Sequence, residues 1–105
     1  VYGHNTGTAA EPVYTCPENC VAEITFIHVV NGGGSTNTVE VEWYVAADNY
    51  TSHFLKGKSL TSGDFISFNQ IDLVLQPSDQ IRITPTSAGH IDTILTVTET
   101  FVPVG

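Results

Sequence analysis

The sequence predicts an all-β fold: a single antiparallel β-sandwich of seven to eight strands, with jelly-roll or immunoglobulin-like topology. Apolar residues alternate with polar ones at a period of two along most of the chain. Clusters of Gly, Pro, Asn and Ser interrupt this alternation at short intervals, and no segment has the period of a helix. Because 105 residues suit one domain, we expect an extended N-terminal arm over residues 1–11 and the sandwich over residues 12–105.

The first segments of the chain are short. Residues 1–11 are small, polar and contain glycine, so they are expected to form the arm. A first short strand is predicted over residues 12–15, and the Cys-Pro-Glu-Asn-Cys segment at 16–20 is predicted to turn.

The next predicted strand, residues 21–30, is apolar on both faces. Simple alternation puts Ile24, Phe26 and Val30 on one face, and a second face carries Val21, Ile27 and Val29. A strand of this kind is central in its sheet or is covered by something outside its own sandwich.

The clearest alternation follows the glycine-rich loop at 31–37. In residues 38–46, one face is predicted to carry Val39, Val41, Trp43 and Val45, and the other to carry Glu40, Glu42 and Tyr44. After a turn at 47–49, another strand is predicted over residues 50–56, ended by Gly57.

Two segments then share one pattern. Residues 60–68 and 75–83 both follow Leu-x-x-(Gly/Ser)-Asp-x-Ile-x-apolar. We interpret them as equivalent corners of one sandwich, in which Asp64 and Asp79 bond the turn backbone before a new strand begins. The last strand is predicted over residues 91–101. The predicted core comprises Val39, Val41, Trp43, Ile66, Phe68, Ile81, Ile83, Leu95 and Val97.

Composition excludes some partners. Three basic residues face eleven acidic ones, for a formal charge of −8, whereas nucleic-acid binding needs clustered Lys and Arg. We therefore expect no nucleic acid as partner. Since no apolar run approaches the ~20 residues of a membrane helix, we expect no membrane partner either.

No constellation of residues indicates catalysis. Cys16 and Cys20 lack the second Cys or His pair of a typical zinc site, and form either a disulfide or two reduced thiols. Glu40 and Glu42 are interpreted as a solvated strand face. With neither a nucleophile beside a base nor a working pair of carboxylates in the pattern, we expect no enzyme activity, no cofactor and no bound metal.

One cluster of aromatic residues offers an alternative function. Tyr44, Tyr50 and His53 fall near one predicted hairpin. An exposed aromatic platform there would suit a glycan-binding module or an adhesin of a tail fibre.

The run of motifs resembles the small all-β virion proteins of tailed bacteriophages, especially those of marine and cyanobacterial hosts. The resemblance rests on VAEITFIHVVN, the loop after it, VEWYV, SLTSGDFISF, DLVLQPSDQIRI and SAGHIDTILTVTE, and it covers residues 14–99. It implies a head-decoration, head-fibre or tail-associated component without catalytic residues, often trimeric.

From the resemblance and the residues together we expect a capsid-decoration subunit, assembled in the host cytoplasm and located in the virion. Its partners would be copies of itself, possibly in a trimer, and the major capsid protein or another virion protein. The expected contacts are the arm and one face of the strand at 21–30, through Val1, Tyr2, His4, Val21, Ile27 and Val29.

Overall fold

The computed structural model describes residues 1–102 and has eight β-strands there. The strands are β1 (Tyr2–Asn5), β2 (Glu11–Thr15), β3 (Cys20–Asn31), β4 (Asn37–Val45), β5 (Tyr50–Leu60), β6 (Phe65–Leu75), β7 (Gln80–Pro85) and β8 (Ile91–Phe101). One short 3₁₀ helix, Ala46–Asp48, joins β4 to β5. No helix within residues 1–102 is long and apolar enough to cross a membrane.

The strands form two packed antiparallel sheets of four. The first sheet has the order β1-β8-β3-β6 and the second the order β2-β7-β4-β5. The predicted all-β sandwich is therefore confirmed. Of the two topologies expected, this order is the jelly roll, in which eight strands divide between two sheets as nested Greek keys.

The core lies between the inner faces of the two sheets. Of the nine predicted core residues, five are fully buried: Val39, Val41, Ile81, Ile83 and Leu95. The other four, Trp43, Ile66, Phe68 and Val97, are only partly buried and pack against the edge of that core. Alternation alone does not distinguish the centre of a strand from its ends, where the sandwich opens to solvent.

The two repeated segments form equivalent corners, as predicted. In each, a buried leucine ends a strand, and the Asp backbone N–H donates to the carbonyl three residues earlier, at 2.9 Å for Asp64 and 3.0 Å for Asp79. The preceding residues, Gly63 and Ser78, both have a positive φ, of 79° and 72°. The shared Gly/Ser position is thus the left-handed residue of the turn.

Part of the segment expected to be an extended N-terminal arm, residues 2–5, belongs to the sandwich. These residues form β1, which pairs with β8 and completes the first sheet. Asn5 is buried and donates to the Ile83 carbonyl of the other sheet at 3.3 Å. Gly3 permits the close approach, because a Cβ there would lie 2.8 Å from a Val13 methyl. Backbone pairing, which a polar sequence also allows, anchors the segment.

The predicted faces of the strand at 21–30 are also wrong. The register of β3 against β8 shifts between Ile24 and Phe26, which makes Thr25 the extra residue of a β-bulge. Past the bulge the alternation is reversed. Ile27 and Val29 therefore join Ile24 in the core, fully buried, and cannot contact a partner.

Gly57 does not end its strand. β5 continues to Leu60, and Gly57 lies inside it with a φ of 77°. Leu55 pairs with Val41 and Lys58 with Val39, so β5 carries one extra residue here. This is the left-handed glycine of a β-bulge.

Candidate partner-binding face

The outer side of the first sheet carries a group of apolar and aromatic side chains that no other element within residues 1–102 covers. Cross-strand pairing aligns Tyr2 of β1 with Ile94 of β8, Ile94 with His28 of β3, and Val30 of β3 with Phe65 of β6. Because directly paired residues share a face of the sheet, these side chains form one band across all four strands. We call this band, with Phe26, the aromatic face.

The rings at the centre of the aromatic face are ordered by contact. His28 stacks on Phe26, with centroids 6.2 Å apart and planes 8° from parallel, and it meets Phe65 at 5.1 Å. His28 Nδ1 is hydrogen-bonded to Ser67 Oγ at 2.6 Å. This bond and the stacking hold the imidazole between the two phenyl rings.

Large apolar side chains of the aromatic face remain in solvent. Tyr2 is 82% exposed, Phe65 58% and Ile94 52%. Single exposed apolar residues are ordinary, but a contiguous group of them on a soluble domain is typical of an interaction surface. The exposure of Phe65 and Ile94 is not visible in the sequence, because the apolar residues of β6 and β8 occupy both faces of the sheet.

The formally charged residues in the strands of the first sheet are all acidic. Its four strands contain no Lys or Arg, since all three basic residues lie in β5 and β7 of the second sheet. Glu23, Asp72 and Asp92 lie in its strands β3, β6 and β8. A hydrogen bond with Asp72, together with the charge of that carboxylate, raises the pKa of the exposed Glu23 carboxyl. The aromatic face is therefore apolar, with acidic groups in the same sheet.

The expected partner-binding residues divide between the core and the surface. Tyr2 is exposed on the aromatic face, and Val1 is exposed next to it, with the Val1 carbonyl accepting a hydrogen bond from Leu95 N–H at 2.8 Å. His4 is bonded through Nδ1 to Asp92 and stacks on His90, with ring centroids 5.4 Å apart. Val21 is half-buried near the far end of β3. Ile27 and Val29, as described above, are in the core.

A polar cleft of about 400 Å³ lies at one end of the sandwich, between the loops at 31–37 and 87–90. Asn31 donates to the Ser35 and Leu60 carbonyls at 2.8 and 3.0 Å, and Asn37 donates to the Ser87 carbonyl at 2.8 Å. Their buried amides are thereby used to fix the loops, which explains the cleft without a ligand.

The residues of the glycan-binding alternative do not form one platform. Tyr44 and His53 share the outer side of the second sheet, but Tyr50 pairs with Val45 and so lies on the other side. The Arg82 guanidinium lies 3.9 Å above the Tyr44 ring and covers it. The aromatic stacking surface expected from the sequence is therefore not assembled.

The second sheet does bring together Glu40, Glu42 and His53. One ligand atom from each lies within 4.8 Å of the others, and His53 Nε2 is 4.0 Å from a Glu40 carboxylate oxygen. Glu42 is 7% exposed and accepts a hydrogen bond from the Thr84 hydroxyl. The sequence showed only the two carboxylates, because the pairing that places His53 opposite Glu42 is not visible in it.

The two cysteines are free thiols in this structure. Cys16 is buried, and its Sγ lies 3.4 Å from the Cys20 carbonyl and 3.7 Å from the Leu75 carbonyl. Burial, with smaller contributions from Cys20 and nearby carboxylates, raises the pKa of the Cys16 thiol. Cys16 therefore packs as a small apolar side chain.

No family model and no curated protein matches the chain.

Proposed function

We propose that this protein is a virion structural protein of a tailed phage, a capsid-decoration subunit that binds the particle through the aromatic face. The exposure of Tyr2, Phe65 and Ile94 on one uncovered sheet carries the proposal. The resemblance of the chain to small phage virion proteins supports it. The protein acts by binding and not by catalysis.

The aromatic face suits attachment to a repetitive lattice. Burying one large apolar side chain stabilises a contact by roughly 1.5–3 kcal/mol, so one small face gives only modest affinity after the cost of association. A symmetric oligomer that presents several such faces to equivalent sites would bind far more tightly through multivalency.

Charge indicates the chemistry of the partner. With a net charge of −8 on the chain and no Lys or Arg in the strands of the first sheet, this face suits an apolar surface bordered by basic or neutral groups. Two copies meeting through the same face would bring their acidic groups together. We therefore assign the aromatic face to the capsid shell and place contacts between copies elsewhere on the sandwich.

The fold is compatible with both functions predicted from the sequence, since jelly rolls occur in viral capsid proteins and in lectins, and a fold does not by itself define a function. The separation of Tyr44 from Tyr50 and the cover of Arg82 over Tyr44 give the glycan-binding alternative less support.

Location and copy number are tested by quantitative mass spectrometry of purified particles. A decoration subunit should be present in hundreds of copies, in fixed ratio to the major capsid protein. Absence from the particle would contradict the proposal, and a handful of copies would move the protein to the tail.

The role of the aromatic face is tested by adding purified protein to particles that lack it. The double variant Phe65→Ser, Ile94→Thr should lose at least about tenfold in affinity, because it removes the centre of the apolar contact. Tyr50→Ser is the matched control, since Tyr50 is 62% exposed but belongs to the second sheet. Equal loss of binding in both variants, or in neither, would contradict this face.

A further inference from the structure

We propose that Glu40, Glu42 and His53 form a binding site for a divalent transition-metal ion of the Zn²⁺ class on the outer side of the second sheet. This site lies on the opposite sheet from the aromatic face, so the inference does not rest on the proposed function. It also goes against the expectation from the sequence, in which Glu40 and Glu42 are a solvated strand face.

The pairing of β4 with β5 places the side chains of Glu40, Glu42 and His53 on one face of the second sheet. Glu40 and Glu42 are two residues apart on β4 and so share one face of the sheet. His53 of β5 pairs directly with Glu42, which puts its ring on that same face. One imidazole nitrogen and two carboxylate oxygens, mutually within 4.8 Å, are a set that zinc accepts, with a fourth position open to water.

Glu42 provides a second observation, since the residue is only 7% exposed and one of its carboxylate oxygens has no hydrogen-bond partner within residues 1–102. A buried carboxylate is costly unless a cation or several hydrogen bonds compensate its charge. Glu42 Oε1 accepts from Thr84, whereas Oε2 has no hydrogen-bond partner within residues 1–102 and is accessible to solvent, and so to an ion. No Lys or Arg in the same residues forms a salt bridge with Glu42. An ion between Glu42, Glu40 and His53 would supply that charge.

The nearest basic side chain is engaged elsewhere. Arg82 pairs with Glu42 across β7 and β4, yet its Nε donates to Gln80 Oε1 at 2.7 Å and its guanidinium stacks on Tyr44. Arg82 therefore does not neutralise Glu42 through a salt bridge within residues 1–102.

Zinc ligands lie about 2.0–2.2 Å from the ion, so the three ligand atoms must draw closer than their present separation. The side chains of Glu40 and His53 are 28% and 33% exposed. They have the freedom to rotate toward the ion, while the buried Glu42 stays in place.

The test is calorimetric titration of Zn²⁺ into the full chain after removal of metal with a chelator, at pH 7.5, where a free imidazole is mostly neutral. We expect one saturable site per chain. His53→Ala and Glu42→Gln should each weaken Zn²⁺ binding at least about tenfold, with folding of each variant checked by circular dichroism. Because His53 is on the surface, its variant tests the site even if Glu42→Gln folds poorly.

The matched control is His4→Ala, which removes a histidine bonded to a single carboxylate on the other sheet. It should leave Zn²⁺ binding unchanged. Backbone amide NMR signals that shift on titration should map to β4 and β5. The proposal is overturned if no saturable binding occurs, if all variants bind equally, or if binding depends on His4 and not on His53.

Discussion

Among single residues, Thr93 has an unsatisfied polar group in the core. Its side chain is fully buried on the inner face of β8, and its hydroxyl oxygen has no hydrogen-bond partner within residues 1–102. A buried hydroxyl without a partner costs roughly 1–3 kcal/mol of desolvation. Valine has nearly the same shape and lacks the hydroxyl.

We therefore expect Thr93→Val to raise the free energy of unfolding by about 1 kcal/mol. Thr96→Val, on the exposed side of the same strand, is the control and should change it by less than about 0.5 kcal/mol. Chemical denaturation measures both. Destabilisation by Thr93→Val would mean that the hydroxyl is satisfied, for example by a buried water.

At the scale of elements, the two repeated corners share a backbone conformation but differ in the hydrogen bonds that their Asp side chains accept. The Asp79 carboxylate is buried and accepts three hydrogen bonds, from Trp43 Nε1 at 3.2 Å and from the backbone N–H groups of Ala46 and Gln76 at 3.0 Å. Asp79 thus ties its own corner to the end of β4. The equivalent Asp64 is exposed, and among the described residues its carboxylate accepts one hydrogen bond, from the N–H of Phe65 at 2.9 Å.

Asp79→Ala should consequently lower the free energy of unfolding by about 3 kcal/mol or more, since it leaves buried donors without acceptors. Asp64→Ala should cost less than about 1 kcal/mol, because water can replace the carboxylate at the exposed corner. Parallel urea denaturation of the two variants measures the difference. Similar losses in both would show that the acceptor role of Asp79 contributes little beyond the turn itself.

The sequence predicts a strand and its buried face well only where apolar and polar residues alternate strictly along that strand. The alternation in β4 and the two corner motifs are local, so β4 and the two corners were predicted correctly, and five of the nine predicted core residues are buried. The bulge at Thr25 lies in a run that is apolar on both faces, and no residue there marks the change of register. The assignment of Ile27 and Val29 to an outer face failed for that reason.

The strand in the N-terminal segment was not predicted, for a different reason. The strand β1 is held by pairing to β8 and by one amide of Asn5, and neither interaction leaves an apolar pattern in the sequence. The candidate sites could not be predicted from the sequence either. His53 meets Glu42, and Tyr2 meets Ile94, through pairing between strands far apart in the chain, whereas sequence patterns report neighbours along one strand.

For the whole molecule, a large negative charge and an uncovered apolar face act in opposite directions. At pH 7 the formal charge of −8 makes copies of the chain repel one another. The sequence isoelectric point is near pH 4.5, where this repulsion vanishes while the apolar area of the aromatic face is unchanged. Self-association through this face is therefore expected to increase as the pH falls toward that value.

Light scattering of the purified protein between pH 7 and pH 4.5 measures this balance. We expect particle mass to rise near pH 4.5, and the double variant Phe65→Ser, Ile94→Thr to reduce the rise, because it removes exposed apolar area without changing the charge. Tyr50→Ser, which removes an aromatic ring from the second sheet, should leave the rise intact. If the double variant associates as strongly as the unmodified protein, association at low pH uses another surface, and the aromatic face is not the most adhesive part of this molecule.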